Sequence, residues 1–294
     1  MTAASKKLVV CGGTGFLGSR ICRAGASRGW DVTSLSRSGN PNWSAITSSS
    51  TAPSWSIKVD WAKGDMMDPN SYSHHLTGAT AVIHSMGILL EADYKGVVQG
   101  RESPISGLRR AFSANKKGAA TNPLDKDVGQ GFPRLRPGEP DAQLTYELMN
   151  RDTALALALA SSKARVKTFG YVSAVGGAPI LPHRYITTKR EAEALIAERF
   201  PDMRAVFFRP PFLYDNSRAF TLPMAAGAGV AAGINGLLGG IFTSIGGAAV
   251  AKPLKADVVA DAVVEALEEE GVKGPVEPAE IERLAEKAWR RGML

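Results

Sequence analysis

Short apolar runs and longer amphipathic segments take turns along this chain. Lys7 to Cys11 is an apolar run that ends in glycines, the pattern of a buried strand. Phe16 to Arg28 follows with Leu17, Ile21 and Ala24 on one helical face. Asp31 to Ser36, Ile57 to Lys63, Ala81 to Ser85, Lys167 to Ser173 and Met203 to Arg209 read as further strands. Helical periodicity fills Thr145 to Ser162 and Arg184 to Arg199. Near the C-terminus, Asp257 to Glu270 is amphipathic through Val259, Val263 and Leu267, and Pro278 opens a last helix through Ile281, Leu284 and Ala288. Strands alternating with helices predict an α/β chain, a doubly wound parallel sheet covered on both faces.

Two stretches break this rhythm. Glu91 to Gln143 is rich in Gly, Pro and charge without periodicity, and reads as an inserted loop. From Ala219 to Ala251 there is no charged residue, and Gly and Ala dominate. Leu222 to Val250 is long enough to cross a bilayer. Its scarcity of large apolar side chains favours the wall of an apolar pocket, or a surface in peripheral contact with a membrane, over a true span. The expected organisation is a domain over residues 1–214 carrying the insertion 91–143, then a small substrate-side subdomain over 215–294.

Composition narrows the class. With 44% hydrophobic and 21% charged residues the chain is globular, neither collagen-like nor wholly disordered. Two cysteines, Cys11 and Cys22, cannot form a disulfide framework, and both read as small buried hydrophobes. No secretory signal precedes the first strand. The net charge of +7 permits anionic partners, but the basic residues are dispersed and no nucleic-acid-binding motif is present. His74, His75 and His84 lack the spacing of a metal site, so no metal is expected and a structural role is assigned to them. Tyr171 and Trp289 read as packing residues.

Candidate chemistry begins between the first strand and the first helix, at Gly12-Gly13-Thr14-Gly15-Phe16-Leu17-Gly18. Gly12, Gly15 and Gly18 have the spacing in which one glycine permits a tight turn. The next removes a side chain where a pyrophosphate approaches, and the third lets helix pack on strand. Free N–H groups of the turn and helix start, here from Thr14 to Gly18, can hold the phosphates. At the end of the second strand, where an acidic residue would bond a ribose 2′-hydroxyl, the chain has Ser36-Arg37. Arginine can pair a 2′-phosphate bidentately, which favours NADP(H) over NAD(H); the alternative for Arg37 is a solvated loop position. Asp65, after the third strand, suits either the adenine edge or the turn before Asp68-Pro69.

The second constellation is Tyr185-Ile186-Thr187-Thr188-Lys189. Residues four apart on a helix share a face, so phenol and ammonium can enter one cleft. A neighbouring ammonium favours phenolate and is expected to lower the tyrosine's pKa, making it an acid/base for a carbonyl or alcohol. Ser173, at a strand end, can bond the same oxygen.

These residues together resemble the short-chain dehydrogenase/reductase superfamily, in its extended or atypical branch, over nearly the whole chain. The resemblance implies a Rossmann-type fold and a catalytic set of Ser173, Tyr185 and Lys189, with Lys189 also holding the nicotinamide ribose. It further implies that Arg209-Pro210 borders nicotinamide and substrate. Three strings narrow it: Val82 to Glu91, Tyr146 to Asn150 and Tyr185 to Glu193. They look like a mitochondrial branch linked to coenzyme Q biosynthesis and related to the NADPH-binding accessory subunit of respiratory complex I. Ser85, in the first string, joins the cofactor set. The branch implies an inner-membrane association, a quinone-like substrate and a protein-complex partner. Three functions remain open: an oxidoreductase, a cofactor-binding assembly subunit without turnover, and a sugar-nucleotide epimerase, against which the NADP(H) preference and the apolar segment count.

Overall fold

The structure, a computed structural model, describes residues 6–47, 49–87, 135–136, 144–176, 183–215 and 252–293. The insertion 91–143 and the uncharged stretch 219–251 lie almost wholly outside these residues.

Strands β1 (Lys7–Cys11), β2 (Asp31–Ser36), β3 (Val59–Lys63), β4 (Ala81–His84), β5 (Thr168–Val172), β6 (Arg204–Phe208) and β9 (Gly274–Val276) form one seven-stranded sheet in the order β3-β2-β1-β4-β5-β6-β9. Every pairing is parallel, with Leu8 opposite Val32 on one side and Ala81 on the other. The pleat sorts β1 between two cores. Leu8 and Val10 face a cluster with α1 (Gly18–Ser27) and α5 (Ala256–Glu268), while Val9 and Cys11 face a cluster with α3 (Thr153–Lys163) and α4 (His183–Arg199). A short helix, α2 (Trp43–Thr47), lies between β2 and β3 in the chain. Strands buried on both faces explain why they read as apolar runs rather than alternating ones. A short parallel pair, β7 (Leu213–Tyr214) with β8 (Leu254–Lys255), forms a second, two-stranded sheet.

Four expectations change. The strand read from Ile57 starts at Val59, because Pro53 opens a 3₁₀ turn over Ser54–Lys58 whose Ser56 carbonyl accepts from Trp61 Nε1 at 3.0 Å. The helix read from Thr145 begins with π-type turns over Glu147–Asp152 before becoming α3. β9 is unanticipated: Gly-Pro reads as a turn, and Gly274 does adopt φ +71°, yet Val276 is buried and its carbonyl accepts from Arg209 N at 2.9 Å. Trp289, on α6 (Pro278–Arg291), is 66% exposed rather than packed.

The boundary drawn at 214/215 runs through one core. Val259, Val263, Val276, Ile281 and Leu284 belong to the same cluster as Leu8, Ile21 and Phe208. Glu265, fully buried on α5, is held by Arg28 at 2.8 Å and Arg291 at 2.8 Å, tying α5 to the end of α1 and to α6. Residues 254–291 therefore complete the covering layer of the sheet.

Arg204 closes this layer. Its guanidinium donates to the carbonyls of Ala266 (3.1 Å) and Leu267 (2.9 Å) in the last turn of α5, whose carbonyls have no partner within the helix, and to those of Glu269 (2.8 Å) and Val272 (2.8 Å) just beyond it. A cation there also complements the helix dipole. Arg204→Met keeps the aliphatic stem and strands these carbonyls, so a destabilisation of about 2–3 kcal/mol is expected in urea unfolding. A loss under about 0.5 kcal/mol would show that water replaces the guanidinium at no cost.

Candidate functional site

The glycine turn is built by steric necessity. Gly12 leaves β1 with φ +84°, a region that favours glycine, and its carbonyl accepts from Gly15 N at 2.8 Å. A Cβ at Gly18 would lie 2.2 Å from Gly12 O and 2.7 Å from Ser85 Oγ, so helix α1 and the turn can meet only through a bare α-carbon. Gly13 is equally constrained: its Cβ would stand 2.2 Å from Ser34 Oγ. The G-x-x-G-x-x-G spacing passes over Gly13; the Gly-Gly doublet was the signal. Gly15 is exposed. Thr14 and Phe16 are half-buried, whereas Leu17 is packed into the core and offers only its backbone. The first turn of α1 carries no acidic side chain. A cradle that a Cβ would fill, opening onto a helix N-terminus, fits a dinucleotide pyrophosphate.

At the next strand end, Arg37 is exposed and Ser36 shapes the turn, its carbonyl accepting from Gly39 N at 3.2 Å and from Gly64 N at 2.9 Å. Asp65 accepts from Met67 N at 3.0 Å, the bond of a turn-forming aspartate, which favours the second of its two readings. Ser85 Oγ donates to Cys11 O at 2.8 Å and packs under the turn.

From Ser85 the chain crosses to the other constellation within three residues. A Cβ on Gly12 would lie 2.7 Å from Met86 Cγ, while one on Gly87 would lie 3.1 Å from Asn150 Oδ1 and 3.4 Å from Lys189 Nζ. Lys189 is buried, donates to Val172 O at 3.0 Å, and lies 5.2 Å from the Tyr171 ring centre and 5.6 Å from that of Tyr185. Tyr185 packs edge-on against buried Tyr146 at 5.8 Å. Ser173, buried just beyond β5, anchors through its N–H to Phe208 O at 2.7 Å. Asn150 is fully buried; its carbonyl accepts from the Tyr171 hydroxyl at 2.5 Å. Asn150 was missed because nothing in helical spacing marks it; the π-type turns turn it inward.

Electrostatics correct one expectation. Burial pushes the Tyr185 phenol up to about 12, and pulls Lys189 down to about 7 against the opposing pull of Glu193. Desolvation, not the ammonium, dominates the tyrosine, so the phenol is held in its protonated form. His84 has its structural role: it bonds Thr153 Oγ1 at 3.0 Å, and burial depresses it to about 3. Cys11 and Cys22 are free and buried, as expected.

Arg209 carries two ion pairs. Its guanidinium pairs with Glu193 of α4 and donates to Glu277 at 2.6 Å, joining α4 to the start of α6. Pro210 is buried and its carbonyl accepts from Val175 N at 3.0 Å. Arg190, unremarked in the sequence, reaches Ser173 Oγ at 3.0 Å and Ala174 O at 2.8 Å. Among the described residues no cluster of His, Cys, Asp or Glu could hold a metal ion, and no helix is long and apolar enough to cross a membrane.

A glycine cradle and a Tyr-Lys pair on one parallel sheet define a nicotinamide-dinucleotide protein, and the chain belongs to the NAD dependent epimerase/dehydratase family, the extended short-chain dehydrogenase/reductases, whose model matches residues 8–93. Among its relatives is MIOREX complex component 2 of Saccharomyces cerevisiae, 34% identical over 225 residues that cover 72% of this chain and 74% of the yeast protein. The fold is shared with a short-chain type dehydrogenase/reductase from Mycobacterium ulcerans (TM-score 0.54, 12% identity, covering 97% of this chain and 91% of that one). It is shared also with UDP-N-acetylglucosamine 4-epimerase from Bacillus cereus (TM-score 0.51, 15% identity, covering 95% and 83%).

Proposed function

We propose that this protein is an NADP(H)-dependent reductase of an apolar carbonyl, a quinone-like compound of mitochondrial coenzyme Q biosynthesis, working beside the inner membrane within a protein complex. The observation that carries the reading is the segment Ser85–Gly87. It touches the glycine turn at one end and Lys189 with Asn150 at the other, so a dinucleotide laid along it would run from cradle to acid/base pair. Gly12, Gly15 and Gly18, with the N–H groups of Thr14, Phe16 and Leu17, would hold the pyrophosphate, and Lys189 the nicotinamide ribose. Tyr185, protonated at neutral pH, gives a proton to the substrate oxygen, and Ser173 orients that oxygen. The dinucleotide supplies the hydride when bound. Isothermal titration with NADPH, followed by NADPH oxidation with short-chain benzoquinones and apolar ketones, tests the reading. Absent turnover across the panel would refute it.

Cofactor choice rests on Arg37. NADPH is expected to bind at least about tenfold more tightly than NADH, and Arg37→Asp to erase or reverse the preference, since a carboxylate repels a 2′-phosphate and accepts from a 2′-hydroxyl. Equal affinities in the unmutated protein would remove Arg37 from the site.

The second reading, an assembly subunit that binds cofactor without turnover, is favoured by one specific observation: the yeast relative is named as a component of a complex. Under it, NADPH binds and stabilises the fold while no substrate is consumed. Complex composition in cells would then depend on the glycine turn and be indifferent to Tyr185.

A further inference from the structure

Lys189 and Arg190 are consecutive on α4, and together they grip three consecutive residues at the end of β5. Lys189 Nζ donates to Val172 O at 3.0 Å. Arg190 Nη1 donates to Ser173 Oγ at 3.0 Å, and its Nη2 to Ala174 O at 2.8 Å. A guanidinium has five N–H donors and no acceptor, so at this contact the serine hydroxyl can only accept. A hydroxyl that accepts from a cation keeps its own O–H to donate, and donates more strongly because the cation draws electron density from the oxygen. Ser173 is buried, which fixes this arrangement away from bulk water.

The cation is itself held in register. Arg190 Nη1 also meets Glu193 Oε1 at 2.6 Å, and Glu193 is paired in turn with Arg209. Arg209 reaches Glu277 at 2.6 Å. Arg190 is thus pinned by a carboxylate one turn along its own helix, and that carboxylate is braced from the end of β6 and the start of α6. Glu193 is buried, whereas Arg190 is half-buried.

We propose that Arg190 is a positioning residue that sets the polarity of Ser173: it commits the serine to donating a hydrogen bond, so that the site recognises a carbonyl oxygen and the alkoxide character that develops on it. The inference rests on the reductase reading above and adds the hydrogen-bond sense of the serine and the residue that sets it. The Tyr185 phenol, which burial keeps protonated, works in the same direction.

A double-mutant cycle tests it, with NADPH oxidation by a short-chain benzoquinone as the assay and NADPH affinity and melting temperature as controls. Arg190→Met removes the donors and keeps the stem. It is expected to lower kcat by about tenfold, with KM and NADPH affinity within about twofold, since one charge-assisted hydrogen bond to the serine is lost. Ser173→Ala lowers kcat further, and Arg190→Met added to Ser173→Ala should change little, because the arginine acts through the serine. Arg190→Lys, which keeps the charge beside Glu193 but lacks the fork to reach two acceptors, should recover part of the loss and serves if the Met variant does not fold. Full additivity of the two losses, or an Arg190→Met or Arg190→Lys enzyme with unchanged kcat, would overturn the assignment while leaving the reductase reading in place. No turnover by the unmutated protein would overturn the reductase reading, and this assignment with it.

Discussion

Tyr185→Phe is expected to cut carbonyl turnover by about 10²–10⁴-fold, the usual worth of a positioned acid/base, and to leave NADPH affinity within about twofold. The substitution keeps the ring that meets Tyr146 edge-on at 5.8 Å and lies 5.6 Å from Lys189 Nζ, so packing survives. What disappears is the proton-bearing atom. Because burial holds the phenol at about 12, it is protonated throughout the physiological range and its loss is felt as the loss of an acid. Steady-state kinetics on the substrate that gives turnover, with titration calorimetry for the cofactor, decides the matter. A Tyr185→Phe variant with undiminished turnover would remove the phenol from the chemistry. A protein without turnover, whose complex assembles normally in cells carrying Tyr185→Phe, would support the assembly reading.

Gly15→Asp is the second large effect. Gly15 is exposed, and a Cβ there meets only Gly12 O, at 3.0 Å, in contrast to the 2.2 Å clash at Gly18. The variant should therefore fold, with a melting temperature within a few degrees of the parent. NADPH affinity should nevertheless fall by about a hundredfold or more, because a carboxylate at the mouth of the turn repels the pyrophosphate at close range in a partly desolvated site. Gly18→Ala makes the contrast: it presses on backbone, and both stability and binding should suffer. Calorimetric titration and thermal melts on the two variants separate the roles. Undiminished NADPH binding by Gly15→Asp would place the pyrophosphate elsewhere.

The sheet was legible because its inner strands are buried on both faces: β1 and β4 read as short apolar runs, and the bounds read for β1 and β2 are those observed. Periodicity failed where it carries no signal. Three residues of β9, two of them Gly and Pro, hold no alternation to read, and only the contact of Val276 with the core reveals them. Where residues 254–291 pack was illegible for a related reason. The change of composition after Tyr214 is real, but composition does not say which core Val259 and Ile281 enter. At the site, the glycines and the Tyr-Lys pair were legible because their spacing is local. Arg190, Asn150 and the ion pairs of Arg209 were not, since their meaning lies in contacts between residues distant in the chain: Arg190 with Ser173 lies 17 apart, Arg209 with Glu193 lies 16 and Arg209 with Glu277 lies 68. The sign of the tyrosine's pKa shift was lost in the same way, because desolvation depends on what surrounds the helix and not on the residue four places along it.

The two borders of the sheet bear on how this chain can meet another. β9 is three residues long, and Val276 spends its carbonyl inward on Arg209 N, while its neighbour Pro275 has no N–H to offer. At the opposite border, Trp61 of β3 meets Trp43 of α2 edge-on at 5.5 Å, and β3 itself carries the exposed charges of Asp60 and Lys63. Neither border invites a foreign strand, and such blunted edges keep parallel sheets from zipping together. Among the described residues, a partner that meets this sheet would therefore contact side chains on helices and loops, where a single substitution can weaken the grip, rather than a continuous row of backbone groups that no substitution removes.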